Sequence, residues 1–166
     1  MRSTASWWAS RFRQFRSHLR AGVASQERAA LATWITPPQL ALFDSMHVAD
    51  RRHGLDVVAS LRTERVIEHD VLLAGLLHDA GKGDTGVWPR IPYALARAYG
   101  AWILRFARLL PGFRAALERL RTHAETSAEL AAAAGCPART VELIRFQDAP
   151  IDPEFGELLR LADEAN

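Results

Sequence analysis

One stretch constrains this chain more than any other, because an apolar run stops at two ionisable side chains. Residues 71–77 read Val-Leu-Leu-Ala-Gly-Leu-Leu, and His78 and Asp79 follow directly. An imidazole and a carboxylate are costly to bury beside apolar residues unless they are paired or bind a metal. If a helix ends at this point, both side chains can face one cation. The stretch therefore predicts a central buried helix that ends at an oxygen- and nitrogen-liganded metal site.

The rest of the chain predicts an all-α fold. Apolar residues recur at helical spacing, and no alternating strand pattern of useful length occurs in the sequence. Proline and glycine divide the chain into about seven to nine helices. We expect a single-domain helical bundle over residues 37–166, preceded by a basic, aromatic helical extension over residues 1–36. A chain of 166 residues is long enough to bury one core without disulfides.

Several helix boundaries can be predicted in the first half of the chain. Ser25 is expected to cap a segment that runs to Ala32. Thr36 as N-cap, with Pro37 at the first helical position, should start another helix. A further helix should carry His53 near its first turn, with Gly54 allowing another element to approach closely. The core helix is expected over residues 68–79.

The second half predicts further helices. One should run from Pro92 to about Leu110, and another over residues 113–121. We expect a helix junction near His123, followed by a short helix over residues 125–134 that ends at Gly135. The last helices are expected over residues 137–146 and, from an Asp152-Pro153 start, over residues 153–164.

The N-terminal segment is strongly basic. Residues 1–30 contain six arginines and one glutamate, which gives a charge of +5, while the other 136 residues carry −3. Aromatic and apolar residues recur there at spacings of three and four, namely Trp7, Trp8, Phe12, Phe15 and Leu19. This helix either packs its aromatic face on the domain or forms a basic amphipathic contact with a membrane or a protein. We find no strong nucleic-acid signal.

Compartment and redox state follow from small features of the sequence. The early residues lack the continuous apolar region of a signal peptide. The single cysteine, Cys136, excludes an intrachain disulfide framework. Both observations favour a cytoplasmic protein, with membrane association through residues 1–30 as an open addition.

Six histidines occur, and they fall into two groups. We expect His18 and His69 at the surface, and His47 in a structural or surface role. His53 and the His78-Asp79 pair border strongly apolar segments, and Asp163 lies in a late amphipathic helix. Two imidazoles and two carboxylates would suit one octahedral Mn, Fe, Mg, Co or Ni ion and leave positions for water and substrate.

The order His53, then His78-Asp79, then Asp163 resembles the H…HD…D signature of the HD superfamily of metal-dependent phosphohydrolases. The segment Leu-Leu-His-Asp-Ala-Gly-Lys is similar to that family's most characteristic motif, and the resemblance covers about residues 40–166. It implies a helical bundle in which these four residues hold a divalent metal. It also implies hydrolysis of a phosphate ester, often of a nucleotide or a signalling nucleotide; a small phosphomonoester is the other expected substrate.

Some members of the family bind a second metal through additional histidines. His123 stands where the first of these is expected, but residues 145–148, where another would follow, contain none. This difference favours one metal per chain, or a weakened second site in which His123 binds substrate phosphate.

Three further side chains are candidates for the chemistry. Lys82 is the only lysine beside 20 arginines, and a compact ammonium suits a phosphate oxygen. Lys82 and His123, with Arg52 as a third candidate, would neutralise charge on the phosphoryl group while the metal activates a water. Asp84 could position water or protonate the leaving group. For Arg52 and Asp84, a solvated surface role remains the alternative.

A different class of function also fits the sequence. The chain could keep the helical fold and the metal and act as a regulatory or binding module without hydrolysing a substrate. Phosphate release from nucleotides and phosphate monoesters distinguishes the two interpretations. The sequence does not indicate an oligomeric state.

Overall fold

The computed structural model describes residues 22–83, 92, 95–96, 99–100, 102–107 and 109–166, and the regular elements in these ranges are all helical. One short 3₁₀ helix covers Ala80–Lys82. The described ranges contain eight α-helices, namely α1 (Ser25–Leu31), α2 (Pro37–Ser45), α3 (Val48–Thr63), α4 (His69–Leu77), α5 (Trp102–Ala107), α6 (Phe113–Ala133), α7 (Ala138–Arg145) and α8 (Gly156–Ala165). The all-α prediction is confirmed.

Helix α4 is the centre of the molecule. Every residue from Val71 to Leu77 is buried, so this helix has no solvent-facing side over these residues. It contacts α2, α3, α7 and α8, which surround it. A helix that is apolar all round must be enclosed by other elements, and the predicted core helix is confirmed.

Two glycines allow neighbouring backbones to approach the end of α4. A Cβ on Gly54 of α3 would lie 2.5 Å from the carbonyl oxygen of Leu76. A Cβ on Gly81 would lie 2.5 Å from the carbonyl oxygen of His123 and 2.6 Å from the nitrogen of Ser127, both in α6. The close approach predicted for Gly54 is confirmed. Together the two glycines bring α3 and α6 against the His78-Asp79 segment.

Some predicted helix ends are confirmed and others are not. Thr36 is the N-cap of α2, with Pro37 in the first turn, and the Gln39 side chain accepts a hydrogen bond from the Thr36 N–H at 2.9 Å. Gly135 follows α6 in the left-handed region, with φ of 74°. Ser25 is the first residue of α1, and Ala24 occupies the cap position, so the predicted Ser25 cap is wrong.

The predicted junction at His123 is also wrong. Helix α6 continues from Phe113 to Ala133, and His123 lies in its middle. The buried residues of α6 follow one face through this region, so tertiary packing holds the helix together. His53, similarly, lies in the second turn of α3 because that helix starts at Val48.

The last helix begins later than predicted. The Asp152 carboxylate accepts hydrogen bonds from the N–H groups of Glu154 and Phe155, at 3.0 and 2.8 Å. These bonds form a turn over residues 153–155, and α8 starts only at Gly156.

A second, smaller apolar cluster lies beside the main core. Ala107, Leu117 and Leu120 are buried there, with Leu104 and Phe113 packed against them, so α5 is held on α6. No helix among the described residues is long and apolar enough to cross a membrane. Residues 1–21 of the helical extension predicted over residues 1–36 lie outside the described residues, as do parts of the helix predicted from Pro92 to about Leu110.

Candidate metal centre

Three of the predicted ligands meet at the end of α4. His53 from α3, His78 after α4 and Asp163 from α8 each offer one ligand atom, and these atoms lie within 4.8 Å of one another. Oδ1 of Asp163 is 2.8 Å from Nε2 of His53 and 3.3 Å from Nε2 of His78. Two imidazole nitrogens and a carboxylate oxygen at this spacing could hold a metal ion.

Asp79, the fourth predicted ligand, lies directly beside this group. Its Oδ1 is 3.5 Å from Nε2 of His78, and its Oδ2 pairs with the ammonium of Lys82. Oδ1 of Asp79 and Nε2 of His78 are buried and have no hydrogen-bond partner. Nearly all buried polar atoms in proteins are satisfied, so two neighbouring exceptions fit a site that binds a cation.

The two buried imidazoles are oriented by their own helices. Nδ1 of His78 donates to the carbonyl oxygen of Gly75 at 3.0 Å, and Nδ1 of His123 donates to that of Leu120 at 2.8 Å. A carbonyl oxygen only accepts, so each ring carries its proton on Nδ1. Nε2 of each ring then faces the carboxylates, as is common for metal-binding histidines.

The charges of the cluster shift one another's pKa values. Burial lowers the pKa of His78, but the carboxylates of Asp79 and Asp163 outweigh it and raise this pKa to about 9. Burial would raise the pKa of both carboxyl groups, yet the neighbouring cations hold them below their ordinary range. Without a metal, His78 is therefore protonated at neutral pH, and a metal must displace that proton.

Asp50 is a functional candidate that the sequence interpretation missed. Its side chain is only 1% exposed, and it precedes His53 by three residues on α3. Burial lowers the pKa of Lys82, but the charges of Asp79 and Asp50 raise it more, so Lys82 stays cationic. The available signal was an acid one helical turn before a predicted ligand.

His123 and two polar residues complete the surroundings. Nε2 of His123 is 3.7 Å from Oδ1 of Asp79, and burial lowers the pKa of this imidazole. The buried amide of Gln147 donates to the carbonyl oxygen of His78 at 3.3 Å. The hydroxyl of Ser127 accepts a hydrogen bond from the N–H of Gly81 at 2.7 Å. Residues 145–148, which contain no histidine, thus contact the cluster through the side-chain amide of Gln147.

Arg52 is not brought into the cluster. Its guanidinium pairs with Glu27 at 2.6 Å and with Asp56 at 2.8 Å. The Glu27 contact ties α3 to α1, the Asp56 contact lies within α3, and together they leave the arginine with a structural role. Asp84, the other weaker candidate, lies outside the described residues.

The remaining histidines lie away from the cluster. His47 is the N-cap of α3, and its Nδ1 accepts a hydrogen bond from the N–H of Ala49 at 3.2 Å, which is a structural role. His69 is half exposed and contacts the carbonyl oxygen of Trp34 at 2.9 Å. His18 lies outside the described residues.

The cluster is enclosed on one side and open on the other. The His78 and Asp79 side chains are 2% and 1% exposed, whereas those of His53 and Asp163 are 17% and 39% exposed. A ligand from solvent would therefore approach past Asp163.

Comparisons with family models, curated proteins and solved structures found no match to this chain. The support for a candidate metal centre is therefore the positions of its own side chains.

Proposed function

We propose that this chain is a metal-dependent phosphohydrolase of the HD type, with one divalent ion held by His53, His78, Asp79 and Asp163. The proposal is carried by two buried atoms of the cluster that have no hydrogen-bond partner, Nε2 of His78 and Oδ1 of Asp79, which are 3.5 Å apart. When bound, such an ion supplies a Lewis acid that polarises a phosphoryl oxygen and lowers the pKa of a water. The mixed nitrogen and oxygen donors suit Mn, Fe, Mg, Co or Ni.

Lys82 has two roles in this proposal. Its ammonium pairs with Oδ2 of Asp79, which leaves Oδ1 of the same carboxylate facing His78. It also keeps a positive charge beside the ligands, with 21% of the side chain exposed, and that charge would attract the phosphoryl oxygens of a substrate.

His123 would act as an acceptor. Because Nδ1 donates to the carbonyl oxygen of Leu120, Nε2 of the neutral ring carries a lone pair. This nitrogen would orient the attacking water or take its proton beside Asp79. Contact with an anionic phosphoryl oxygen would need a second proton on the ring, and burial opposes that proton.

The substrate would be a nucleotide or another small phosphomonoester. The partly exposed Asp163 marks the open side of the cluster, and His78 and Asp79 form its closed side. A terminal phosphate group fits this arrangement, since only the reacting end of the substrate has to reach the buried ligands.

The test combines metal analysis with phosphate release. The purified full chain is loaded with Mn, dialysed and analysed for bound metal, then incubated with nucleotides and phosphate monoesters. We expect Asp163→Asn to weaken metal binding by about a hundredfold and to abolish phosphate release. Asp44→Asn is the matched control, because Asp44 is a partly exposed aspartate whose ion pair with Arg28 lies outside the cluster.

Three results would contradict the proposal. A metal-free chain that releases phosphate at full rate would exclude the metal's role. Equal metal binding by Asp163→Asn and Asp44→Asn would exclude the ligand set. A wild-type chain that binds Mn but releases no phosphate from the substrate panel would be a metal-binding module instead.

A further inference from the structure

Charge and aromatic residues are segregated along the chain. All 19 acidic residues lie within residues 27–84 and 118–166. Residues 1–26 and 85–117 contain none, and each of these two segments carries five arginines. The same two segments hold 10 of the 14 aromatic residues. Each is therefore purely cationic and rich in aromatic side chains.

Helix α5 lies in the second acid-free segment and is apolar on both sides. Its inner side packs Leu104 and Ala107 against Leu117 and Leu120 of α6. On the outer side, Trp102 is 59% exposed and Phe106 is 66% exposed. The two rings meet edge to face, with centroids 6.2 Å apart. The outer side of a surface helix is normally polar, so this arrangement requires an explanation.

The exposed apolar residues continue past the helix. Leu109 is 79% exposed and Leu110 is 51% exposed. Exposed arginines accompany them at positions 105 and 114. The α5 surface, as we name it, consists of Trp102, Arg105, Phe106, Leu109, Leu110 and Arg114.

We propose that the α5 surface docks on lipid bilayers that contain anionic lipid. Contiguous exposed apolar side chains mark interaction sites on proteins. Tryptophan, phenylalanine and leucine insert at the boundary between headgroups and acyl chains, and arginine reaches from there to lipid phosphates. The absence of acidic residues from 85 to 117 suits a negatively charged bilayer. Glu118, the first acidic residue in the sequence after this segment, is paired with Arg121 at 2.6 Å.

Charge complementarity argues against other occupants. A second copy of this surface would bring arginines against arginines. Residues 1–21 carry five arginines and no acid, so this segment would meet the same repulsion. Nucleic acid would satisfy the arginines, but phosphates and sugars would not cover Leu109 and Phe106, the two most exposed apolar residues of the α5 surface.

Sedimentation with vesicles tests this proposal on the full chain. We expect the wild type to sediment with vesicles of phosphatidylcholine and phosphatidylserine and not with phosphatidylcholine alone. The double variant Phe106→Ser, Leu109→Ser should bind about tenfold more weakly. The matched control is Ile67→Ser, Ile151→Ser, which changes two residues that are 83% and 56% exposed outside the α5 surface. Circular dichroism would verify the fold of both variants.

Arg105→Gln provides an independent arm, since this exposed side chain can be replaced without touching the small core. It should weaken binding to the anionic vesicles and reduce the dependence of binding on salt. The proposal is overturned if the wild type does not bind anionic vesicles, or if the double variant binds as well as its control. It is also overturned if the wild type binds RNA but no vesicle, or if the variants change dimerisation alone.

Discussion

The cluster at the end of α4 buries charged side chains, whereas the α5 surface exposes large apolar ones. In the cluster, charged residues are enclosed by the core, and Asp79 is 1% exposed beside the fully buried Leu76 and Leu77. In the α5 surface, large apolar residues face outwards, and Phe106 is 66% exposed. The cluster keeps two buried polar atoms without hydrogen-bond partners, which costs stability, and an exposed aromatic side chain contributes little to folding. Both regions therefore point to binding more than to stability.

The largest expected difference concerns two phenylalanines. Phe43 is fully buried in the main core, whereas Phe106 lies on the α5 surface. Phe43→Ala should lower the free energy of unfolding by about 4 kcal/mol, because it leaves a cavity. Phe106→Ala should change it by less than about 0.5 kcal/mol. Urea unfolding of both variants measures the difference, and equal losses would show that Phe106 belongs to a core.

The close approach at Gly81 gives the next largest effect. Gly81→Ala places a methyl group against backbone atoms of α6, which cannot move as a flexible side chain would. We expect a loss of about 3 kcal/mol in the free energy of unfolding. Gly22→Ala is the matched control, since nothing lies within 4 Å of its Cβ position. A Gly81→Ala variant as stable as Gly22→Ala would contradict the close packing of the 3₁₀ helix on α6.

The raised pKa of His78 predicts a dependence of stability on pH. This pKa rises from 6.5 to about 9 on folding, so its stabilising contribution is complete below pH 6.5 and is lost as the pH rises through 9. The metal-free chain should lose on the order of 3 kcal/mol across this window. Mn affinity should rise about tenfold per pH unit over the same window, as the competing proton leaves.

Urea unfolding of the metal-free chain at successive pH values measures this loss. His69→Gln, which replaces a half-exposed imidazole, should keep the same slope, whereas His78→Gln should flatten it. A flat profile in the wild type would mean that His78 is not held between two carboxylates.

The smallest expected effect is the loss of stability when a buried cation is replaced, measured against the loss for an exposed one. Lys82→Met removes the partner of the buried Asp79 carboxylate and should cost about 2 kcal/mol in the metal-free chain. Arg105→Gln removes an exposed charge and should cost less than about 0.5 kcal/mol. Thermal unfolding of both variants gives the comparison. Similar midpoints would show that Lys82 contributes no more than a surface residue.

Much of the architecture could be predicted from local features of the sequence. The apolar run of residues 71–77 required a central helix, Thr36-Pro37 marked a helix start, and Gly54 marked a close approach. His53 and His78 were recognisable because they border apolar segments, and Asp163 because it lies in a late amphipathic helix; the structure brings the three together.

Other features depend on contacts between distant parts of the chain. The helix through His123 is continuous because its buried face packs on the 3₁₀ helix and α7. The intrinsic helix propensity of the residues around Thr122 neither favours nor opposes this continuity strongly. The burial of Asp50 and the hydrogen bond from Gln147 to His78 also arise from tertiary packing. Propensity and spacing carry no information about such contacts.

The hydrogen bond between His53 and Asp163 has a consequence for the order of folding. It joins positions separated by 110 residues, whereas α3 and α4 are neighbours both in sequence and in space. Closing so long a loop costs entropy that is regained only when α8 docks, so this pairing should form after the α3–α4 hairpin. A ligand bridging His53 and Asp163 would then act chiefly on the rate of unfolding, by holding the last-formed contact closed.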